Sequence, residues 1–379
     1  MFARTIFSRN RPKIVSLSND ARFKLSNSAP INEDCDHKPR RIFSGIQPTG
    51  SVHLGNYVGA ILPWKKLQDS GEDVILEIAD LHSITLPQDP KNLSQSILEM
   101  TASILACGIN AEKVILFQQS SVFTHAELSW ILGCTCTIAR LSHLPAFKEK
   151  SSTLKDVPVG LFLYPVLQAA DILAYKATHV PVGEDQWQHI QLTQDLAKMF
   201  NKRYGKCFPI PHTMITDNVY SRLKSLRDPN KKMSKSDPDP RSRISLLDKP
   251  DEIQKKFKKA VTDFTSEVYF DPERRPGVSN LISIHSIVSN KDIMEICRES
   301  KGLNTAQYKS LVADAVIEYL KPIQTDYHRL LSEEAYILEI LQNGADRAKE
   351  ISCRTMQEVK DKIGFSYSSK NTSFVTSRI

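Results

Sequence analysis

The sequence predicts an α/β fold in which a Rossmann-type parallel sheet is followed by an all-helical domain. Two observations predict it. Up to about residue 240, short β-branched runs alternate with longer amphipathic segments, which is typical of strands joined by helical crossovers. Beyond that point, apolar residues such as Leu311, Val312, Ala315 and Val316 recur at spacings of three and four, which indicates helices.

The alternating part of the chain yields the individual strands and helices. The predicted strands are Ile42 to Ile46, Val74 to Ala79, Val114 to Phe117 and Val180 to Val182. The predicted helices are Leu54 to Leu67, Leu93 to Cys107, Ala126 to Leu141, Val166 to Tyr175 and Asp185 to Phe200. Pro165 is expected to begin the fourth helix, because proline suits a first helical position.

Composition divides the chain into four segments. We predict a leader over residues 1–38, a Rossmann-type domain over 39–240, a helical domain over 241–365 and a flexible Ser/Thr-rich tail over 366–379. No internal repeat interrupts this plan.

The leader has the composition of an organelle transit peptide. From Met1 to Asn32 arginine, lysine and serine are frequent, and Asp20 is the sole acid. Such Arg-rich, Ser-rich, acid-poor segments are typical of mitochondrial addresses, which predicts a location in the mitochondrial matrix. The alternative is a disordered basic arm that helps to hold RNA.

Size, charge and cysteine usage exclude several classes of protein. The 379 residues, 41% of them hydrophobic, suffice for a sizeable core, and no run approaches the ~18 apolar residues of a membrane span. The net charge of +7 fits a polyanionic partner, although the leader supplies much of it. Seven scattered cysteines without Cys-x2-Cys spacing predict free thiols and no protein-held metal.

A first candidate phosphate element follows the first strand. That strand runs into the turn Gly45 to Gly50, after which His53-Leu54-Gly55-Asn56 opens a helix. Free N–H groups and the helix dipole favour an anion at such a place. The four-residue match alone is weak, and a capped helix start is the alternative interpretation.

A second candidate element lies near residue 232. Lys232-Met233-Ser234-Lys235-Ser236 sits in a turn rich in Ser, Pro and Asp, where a mobile basic loop could close over phosphates. A plain solvated turn is the alternative, but the five-residue string is specific.

These two elements, in this order, resemble the signature motifs of class I aminoacyl-tRNA synthetases. The resemblance runs from Arg41 to about Leu341, and further blocks narrow it to the tryptophanyl branch. Those blocks include Phe43 to Gly50, Asp80 to Thr85, Phe147 to Lys150, Ala169 to Leu173, Val180 to Gln186, Asn201 to Gly205 and Pro276 to Leu281.

The resemblance implies activation of L-tryptophan with ATP and its transfer to tRNA(Trp). It also implies that Mg2+ is held by the substrate, that the chain forms a homodimer and that the helical domain makes the anticodon contacts. By the same resemblance, Lys232 and Lys235 cover the pyrophosphate, Lys148 is a further phosphate-facing lysine, and Gln47 assists them. The remaining implied ATP-binding residues are His53, Leu54, Gly55, Asn56, Gly183, Glu184, Asp185, Leu223, Met233, Ser234 and Ser236.

A buried indole N–H needs an acceptor, and Asp171 suits that task. Tyr164, Gln168 and Asp171 recur at spacings of four and three, on one helix face. The alternative roles for Asp171 are a partner for a helix N-terminus and a surface charge. Further pocket candidates are Phe43, Val180, Val182, Gln186 and His82, the last of which could equally be structural.

A tyrosyl-tRNA synthetase is the nearest alternative, because Tyr164, Gln168 and Asp171 also resemble a tyrosyl pocket. More remote alternatives are a nucleotidyltransferase that shares the phosphate site and a non-catalytic RNA-binding relative. The Lys255 to Lys259 stretch is a basic face that could be solvent surface or a contact for tRNA phosphates.

Overall fold

The computed structural model describes residues 40–144, 155–183, 186–215, 223–235 and 237–366. The predicted leader and, apart from Ser366, the predicted tail lie outside these residues. Among the described residues, no helix has both the length and the apolar character that crossing a membrane requires.

A five-stranded sheet forms the centre of the molecule. Its strands are β1 (Arg41–Ile46), β2 (Asp73–Ile78), β3 (Ile115–Gln118), β4 (His179–Val182) and β5 (His212–Ile215). All are parallel, in the order β3-β2-β1-β4-β5, so the predicted α/β class is confirmed. The sequence analysis missed β5 because this short edge strand, His-Thr-Met-Ile, lacks an apolar β-branched run.

Helices connect the strands and continue beyond the sheet. They are α1 (Leu54–Asn56), α2 (Leu62–Asp69), α3 (Asp80–Ser83), α4 (Pro90–Ala106), α5 (Thr124–Gly133), α6 (Ile138–Ser142), α7 (Val159–Ala174), α8 (Trp187–Tyr204), α9 (Pro250–Lys258), α10 (Pro276–Ser289), α11 (Ile293–Glu299), α12 (Thr305–Ser332) and α13 (Glu334–Ile363). A π-helical turn, Tyr57–Ile61, joins α1 to α2 and interrupts the predicted first helix.

Two predicted helices differ from the structure. The helix expected over Ala126 to Leu141 is broken after Gly133, because the Thr137 hydroxyl accepts the N–H of Arg140 and caps a new helix there. Pro165 lies inside α7 and does not begin it. The turn before Pro165 buries Leu161 completely, and this packing outweighs the hydrogen bond that proline removes.

The sheet is buried on both faces, as all-parallel sheets are. Ile42 and Leu76 point to one hydrophobic cluster, which includes α2, α4 and much of the C-terminal helical region. Phe43, Ile75 and Phe117 point to a second cluster with α5, α7 and α8. The alternation of side chains along each strand therefore builds two cores on one backbone layer.

The helical region packs directly on the α/β layer. Helix α13 crosses β3 so closely that a Cβ added to Gly344 would lie 1.8 Å from the carbonyl oxygen of Leu116. Helix α12 contacts α4, and its Tyr319 hydroxyl lies 2.5 Å from that of Tyr57 in the π-helical turn. The boundary proposed between residues 240 and 241 remains a prediction.

We expect Gly344→Ala to lower the stability of the fold. The added methyl group must push α13 away from β3, which we expect to cost roughly 1–3 kcal/mol, more than the helix propensity that alanine gains. Thermal unfolding measures this loss. Gly133→Ala is the matched control, since an added Cβ there meets nothing within 4 Å. Equal melting temperatures for the two variants would contradict the close contact.

Candidate active site

The candidate site lies at the carboxyl edge of the sheet, between β1 and β4. At this point the strand order reverses, since β2 and β3 lie on one side of β1 and β4 and β5 on the other. Open α/β sheets bind ligands in the crevice that forms at such a position. Gln47 follows β1 and Gly183 follows β4, and both are exposed at this edge.

His53 caps the helical stretch that follows the glycine-rich turn. Its Nδ1 accepts the N–H of Asn56 at 3.2 Å, while the side chain of Asn56 accepts the N–H of His53 at 3.4 Å. Burial, together with the charges of Lys235, Arg243 and Lys232, lowers the pKa of His53 to about 4. The imidazole is therefore neutral at pH 7, and because Nδ1 is an acceptor, Nε2 carries the proton and is a donor.

Gly55 leaves room for the ring of His53. A Cβ at Gly55 would lie 2.9 Å from Cε1 of His53 and 3.4 Å from Cβ of Met233. The ATP-binding role that the family resemblance implies for Gly55 stays a prediction. The geometry explains why glycine stands at this position: a larger residue would collide with His53 and crowd Met233. Gly55 belongs to the first signature element and Met233 to the second, so the two elements are in close contact here.

Backbone pairing shapes the lysine-containing element. The N–H of Met233 donates to the carbonyl of Leu223 at 2.9 Å, and both side chains are buried. The side chain of Asn280, in α10, accepts the N–H of Lys224 and donates to its carbonyl. This hairpin-like segment leaves Lys232 exposed and Ser234 half-buried.

A second set of backbone bonds brings the elements together. Leu54 donates its N–H to the carbonyl of Ile244 at 2.8 Å, and Leu246 donates to that of Val52 at 2.9 Å. Lys235 Nζ in turn donates to the carbonyl of Thr49 at 2.6 Å. Segments almost two hundred residues apart in the chain therefore form one structural unit.

The result is a cluster of positive charge. Burial and the charge of Arg243 lower the pKa of Lys235 to about 8, and Lys232 and Arg243 both act on His53. A lysine whose charge is this disfavoured gains from any bound anion. Arg243 was missed by the sequence analysis, since it lies eight positions beyond the motif lysine and only the pairing at Ile244 brings it here.

Asp171 forms the centre of a second group of residues in the candidate site, a buried polar network. Its Oδ1 accepts from His125 Nδ1 at 2.7 Å and from Gln119 Nε2 at 2.9 Å, and its Oδ2 accepts from His82 Nε2 at 2.7 Å. Burial alone would raise the pKa of Asp171, but the bonds from His125 and His82 hold it well below its usual range. Asp171 is thus an ionised acceptor at neutral pH.

Glu77 is a second buried carboxyl beside Asp171. Burial and the negative charge of Asp171 raise its pKa well above the usual range, which favours the protonated form of Glu77. Glu77, His125 and Gln119 were missed by the sequence analysis. A signal was available for Glu77, because a charged residue inside the apolar strand Val74 to Ile78 is unusual.

Tyr164, Gln168 and Asp171 lie along one helix, α7, as predicted. The Tyr164 hydroxyl lies 3.2 Å from His189 Nε2, and the Gln168 amide lies 3.4 Å from Oε1 of Gln186. These contacts group the side chains of α7 with the start of α8.

The remaining apolar pocket candidates lie at different depths. Phe43 stacks on Tyr175 with ring centroids 5.5 Å apart, and both belong to the second core cluster. Val180 is buried in the same cluster, whereas Val182 is half-buried. Four predicted site residues lie outside the described residues, namely Lys148, Glu184, Asp185 and Ser236.

Within the described ranges, one group of side chains approaches the arrangement of a metal site. Ligand atoms of Glu77, His125 and Asp171 all lie within 4.8 Å of one another. However, His125 Nδ1 and Asp171 Oδ1 are 2.7 Å apart, which is a hydrogen bond and is shorter than the roughly 3.4 Å between two ligands of a tetrahedral zinc ion. The absence of a protein-held metal stays a prediction.

Comparison with known proteins identifies relatives over most of the chain. The family model described as tRNA synthetases class I (W and Y) matches residues 35–321. A tryptophan–tRNA ligase of Caldanaerobacter subterraneus is 46% identical over 325 residues, which is 86% of this chain and 98% of the relative. A chloroplastic/mitochondrial tryptophan–tRNA ligase of Arabidopsis thaliana is 42% identical over 357 residues, 90% of this chain and 87% of the relative.

A solved structure agrees with these relatives. The tryptophanyl-tRNA synthetase of Campylobacter jejuni, complexed with ADP and tryptophan, superposes with a TM-score of 0.75 at 31% identity. The match covers 86% of this chain and 99% of the other.

The lowered pKa of Lys235 predicts a pH-dependent affinity for ATP. Above pH 8 the free enzyme must first bind a proton to present a charged lysine, so affinity should be roughly tenfold lower at pH 9 than at pH 7. Calorimetric titration across this range measures it. Lys235→Arg stays charged throughout and should abolish the decline. A decline of equal size in both proteins would assign the effect to another group.

Proposed function

We infer the activity from the family: this chain belongs to the class I tRNA synthetases for tryptophan and tyrosine. It is a tryptophan–tRNA ligase. It activates L-tryptophan with ATP to tryptophanyl-adenylate, releasing pyrophosphate, and then transfers tryptophan to the 3′ end of tRNA(Trp). The observation that carries this proposal is the joining of both signature elements into one cluster of positive charge.

The activation step requires positioning and charge stabilisation. The tryptophan carboxylate, already ionised at pH 7, attacks the α-phosphorus of ATP, and negative charge moves onto the departing pyrophosphate. Lys232 and Lys235 face that charge, and His53 adds a neutral donor at Nε2. Arg243 adds a further positive charge to the same cluster. Preorganised donors of this kind stabilise developing charge without reorganisation.

Binding of the nucleotide involves the rest of the predicted ATP site. Gln47 and the segment Leu54 to Asn56 lie beside the phosphates, Gly183 borders the ribose, and Leu223 lies against the adenine. Lys148, Glu184, Asp185 and Ser236 complete the proposed set. Mg2+ would enter with ATP as part of the substrate and would neutralise part of the phosphate charge, without a dedicated set of protein ligands.

Asp171 accepts the indole N–H of tryptophan in this proposal. Its Oδ2 receives one hydrogen bond in the structure, from His82, and a carboxylate oxygen has room for another. Tyr164 and Gln168 lie on the same helix face and line the ring, with Phe43, Val180, Val182 and Gln186 behind them. Relatives that are 46% and 42% identical are named as tryptophan ligases, so the tyrosyl alternative is not favoured.

A second copy of the chain is the proposed partner of an apolar surface near α7. Trp130, Ile138 and Val159 are 76%, 78% and 70% exposed, and they belong to α5, α6 and α7, of which α7 contacts the other two. Exposed apolar groups in this number favour a homodimer. Sedimentation of the purified protein tests the dimer, which a monomer at micromolar concentration would exclude.

Residues 241–365 are the proposed anticodon-binding region for tRNA(Trp).

The mitochondrial matrix is the proposed location. Its support is the composition of residues 1–38, together with the chloroplastic/mitochondrial name of the Arabidopsis thaliana relative. Import of the full chain into isolated mitochondria, lost on removal of residues 1–38, is the expected result. Import that does not depend on this segment would contradict the proposal.

The activity predicts exchange of pyrophosphate into ATP that depends on tryptophan and not on tyrosine. Lys232→Ala should lower the kcat of this exchange by roughly 10²-fold, because it removes charge stabilisation during the chemical step. Lys301→Ala, which also removes an exposed lysine, is the control and should leave kcat unchanged. Exchange supported equally by tyrosine, or full activity of Lys232→Ala, would refute the proposal.

A further inference from the structure

The two carboxylate oxygens of Asp171 have different hydrogen-bond partners, which lie on different sides of the buried network. Oδ2 faces His82, whose ring lies edge-on to Tyr164 with centroids 6.3 Å apart, on the side of the proposed tryptophan pocket. Oδ1 faces the protein interior, where Gln119 and His125 donate to it. Oδ1 is therefore committed to contacts with Gln119 and His125, and Oδ2 lies on the side of His82 and Tyr164.

His125 is the part of this network with a defined proton arrangement. It is completely buried, and its Nδ1 must donate, because the ionised Asp171 has only acceptors. With the proton on Nδ1, Nε2 is an acceptor, and the Tyr175 hydroxyl, 2.7 Å away, donates to it. Tyr175 remains protonated because burial and the charges of Glu77 and Asp171 raise its pKa well above the usual range.

The chain Tyr175, His125, Asp171 thus fixes a tautomer and an orientation. We propose that His125 is a positioning residue for tryptophan selection: it holds Oδ1 of Asp171 so that Oδ2 is presented to the indole N–H. This inference rests on the proposed function and adds to it a residue that touches no substrate. The buried Gln119 supports the same oxygen, and it is itself held by the N–H of Leu81 through its Oε1 at 3.1 Å.

The role of Glu77 follows from the same geometry. Its Oε2 lies 3.9 Å from His125 Nδ1 and accepts no hydrogen bond within the described residues. A charged Glu77 would compete with Asp171 for the imidazole proton. The raised pKa of Glu77 and its longer distance both favour Asp171, 2.7 Å away, as the acceptor for Nδ1 of His125.

Two substitutions at His125 test the hydrogen-bond donor at Nδ1 separately from the rest of the ring. The amide of His125→Asn reaches the position of Nδ1 and can still donate to Asp171. The amide of His125→Gln reaches the position of Nε2, beside Tyr175, and loses that donor. The substrates are L-tryptophan and its isostere L-3-benzothienylalanine, in which sulfur replaces the indole N–H.

We expect His125→Gln to raise the KM for tryptophan in pyrophosphate exchange roughly tenfold to a hundredfold, the effect of losing a hydrogen bond to a charged group. The KM for ATP and for the isostere should change much less, so the preference for tryptophan over the isostere should shrink. His125→Asn should retain most of that preference. Equal losses on both amino acids, or identical behaviour of the two variants, would overturn the proposal.

Tyr175→Phe provides a test that leaves the packing almost intact. Without the hydroxyl, Nε2 of His125 loses its donor and the ring is held by Asp171 alone, so we expect the preference for tryptophan over the isostere to fall about threefold, the lower end of a neutral hydrogen bond. An unchanged preference would contradict the proposed chain of hydrogen bonds from Tyr175 through His125 to Asp171. Wild-type protein without any tryptophan-dependent exchange would refute the proposed function itself, and this inference with it.

Discussion

The pairing of two backbone segments is the constraint on which the candidate site depends. Leu54 donates its N–H to the carbonyl of Ile244, Leu246 donates to that of Val52, and Lys235 Nζ donates to that of Thr49. Without these bonds, the glycine-rich turn and the lysine-containing element would be separate loops. With them, His53, Lys235 and Arg243 share one partly buried environment in which like charges disfavour each other until an anion binds.

The site contains two opposite electrostatic environments on one sheet edge. On one side, burial and the neighbouring cations lower the pKa of Lys235 and leave His53 neutral. On the other, hydrogen-bond donors keep Asp171 ionised, while burial and the charge of Asp171 raise the pKa of the adjacent Glu77. The first environment suits the phosphates of ATP, and the second suits a single N–H donor on an otherwise apolar ring. The proposed reaction joins these two ligands in the crevice between them.

The sequence predicted the class of fold and the chemically distinctive positions, because both depend on local patterns. Four strands follow from β-branched runs, and the motif residues His53, Gly55, Lys232 and Asp171 stand out by type and spacing. The edge strand β5 carries too little apolar signal to be recognised. Pro165 was misplaced because burial of the preceding turn outweighs a local preference.

Residues that act through tertiary contacts could not be predicted in this way. Arg243 joins the cation cluster only through the pairing of its neighbour Ile244, and His125 meets Asp171 across 46 positions of sequence. Neither lies in a motif. Gly344 likewise reads as a weak helix residue until the carbonyl of Leu116 is seen against it.

A crystal structure with tryptophan and a non-hydrolysable ATP analogue tests the central claim most directly. The account predicts phosphate oxygens within about 3 Å of Lys235 Nζ and His53 Nε2. A triphosphate bound away from this cluster, with Lys235 still on the carbonyl of Thr49, would contradict it.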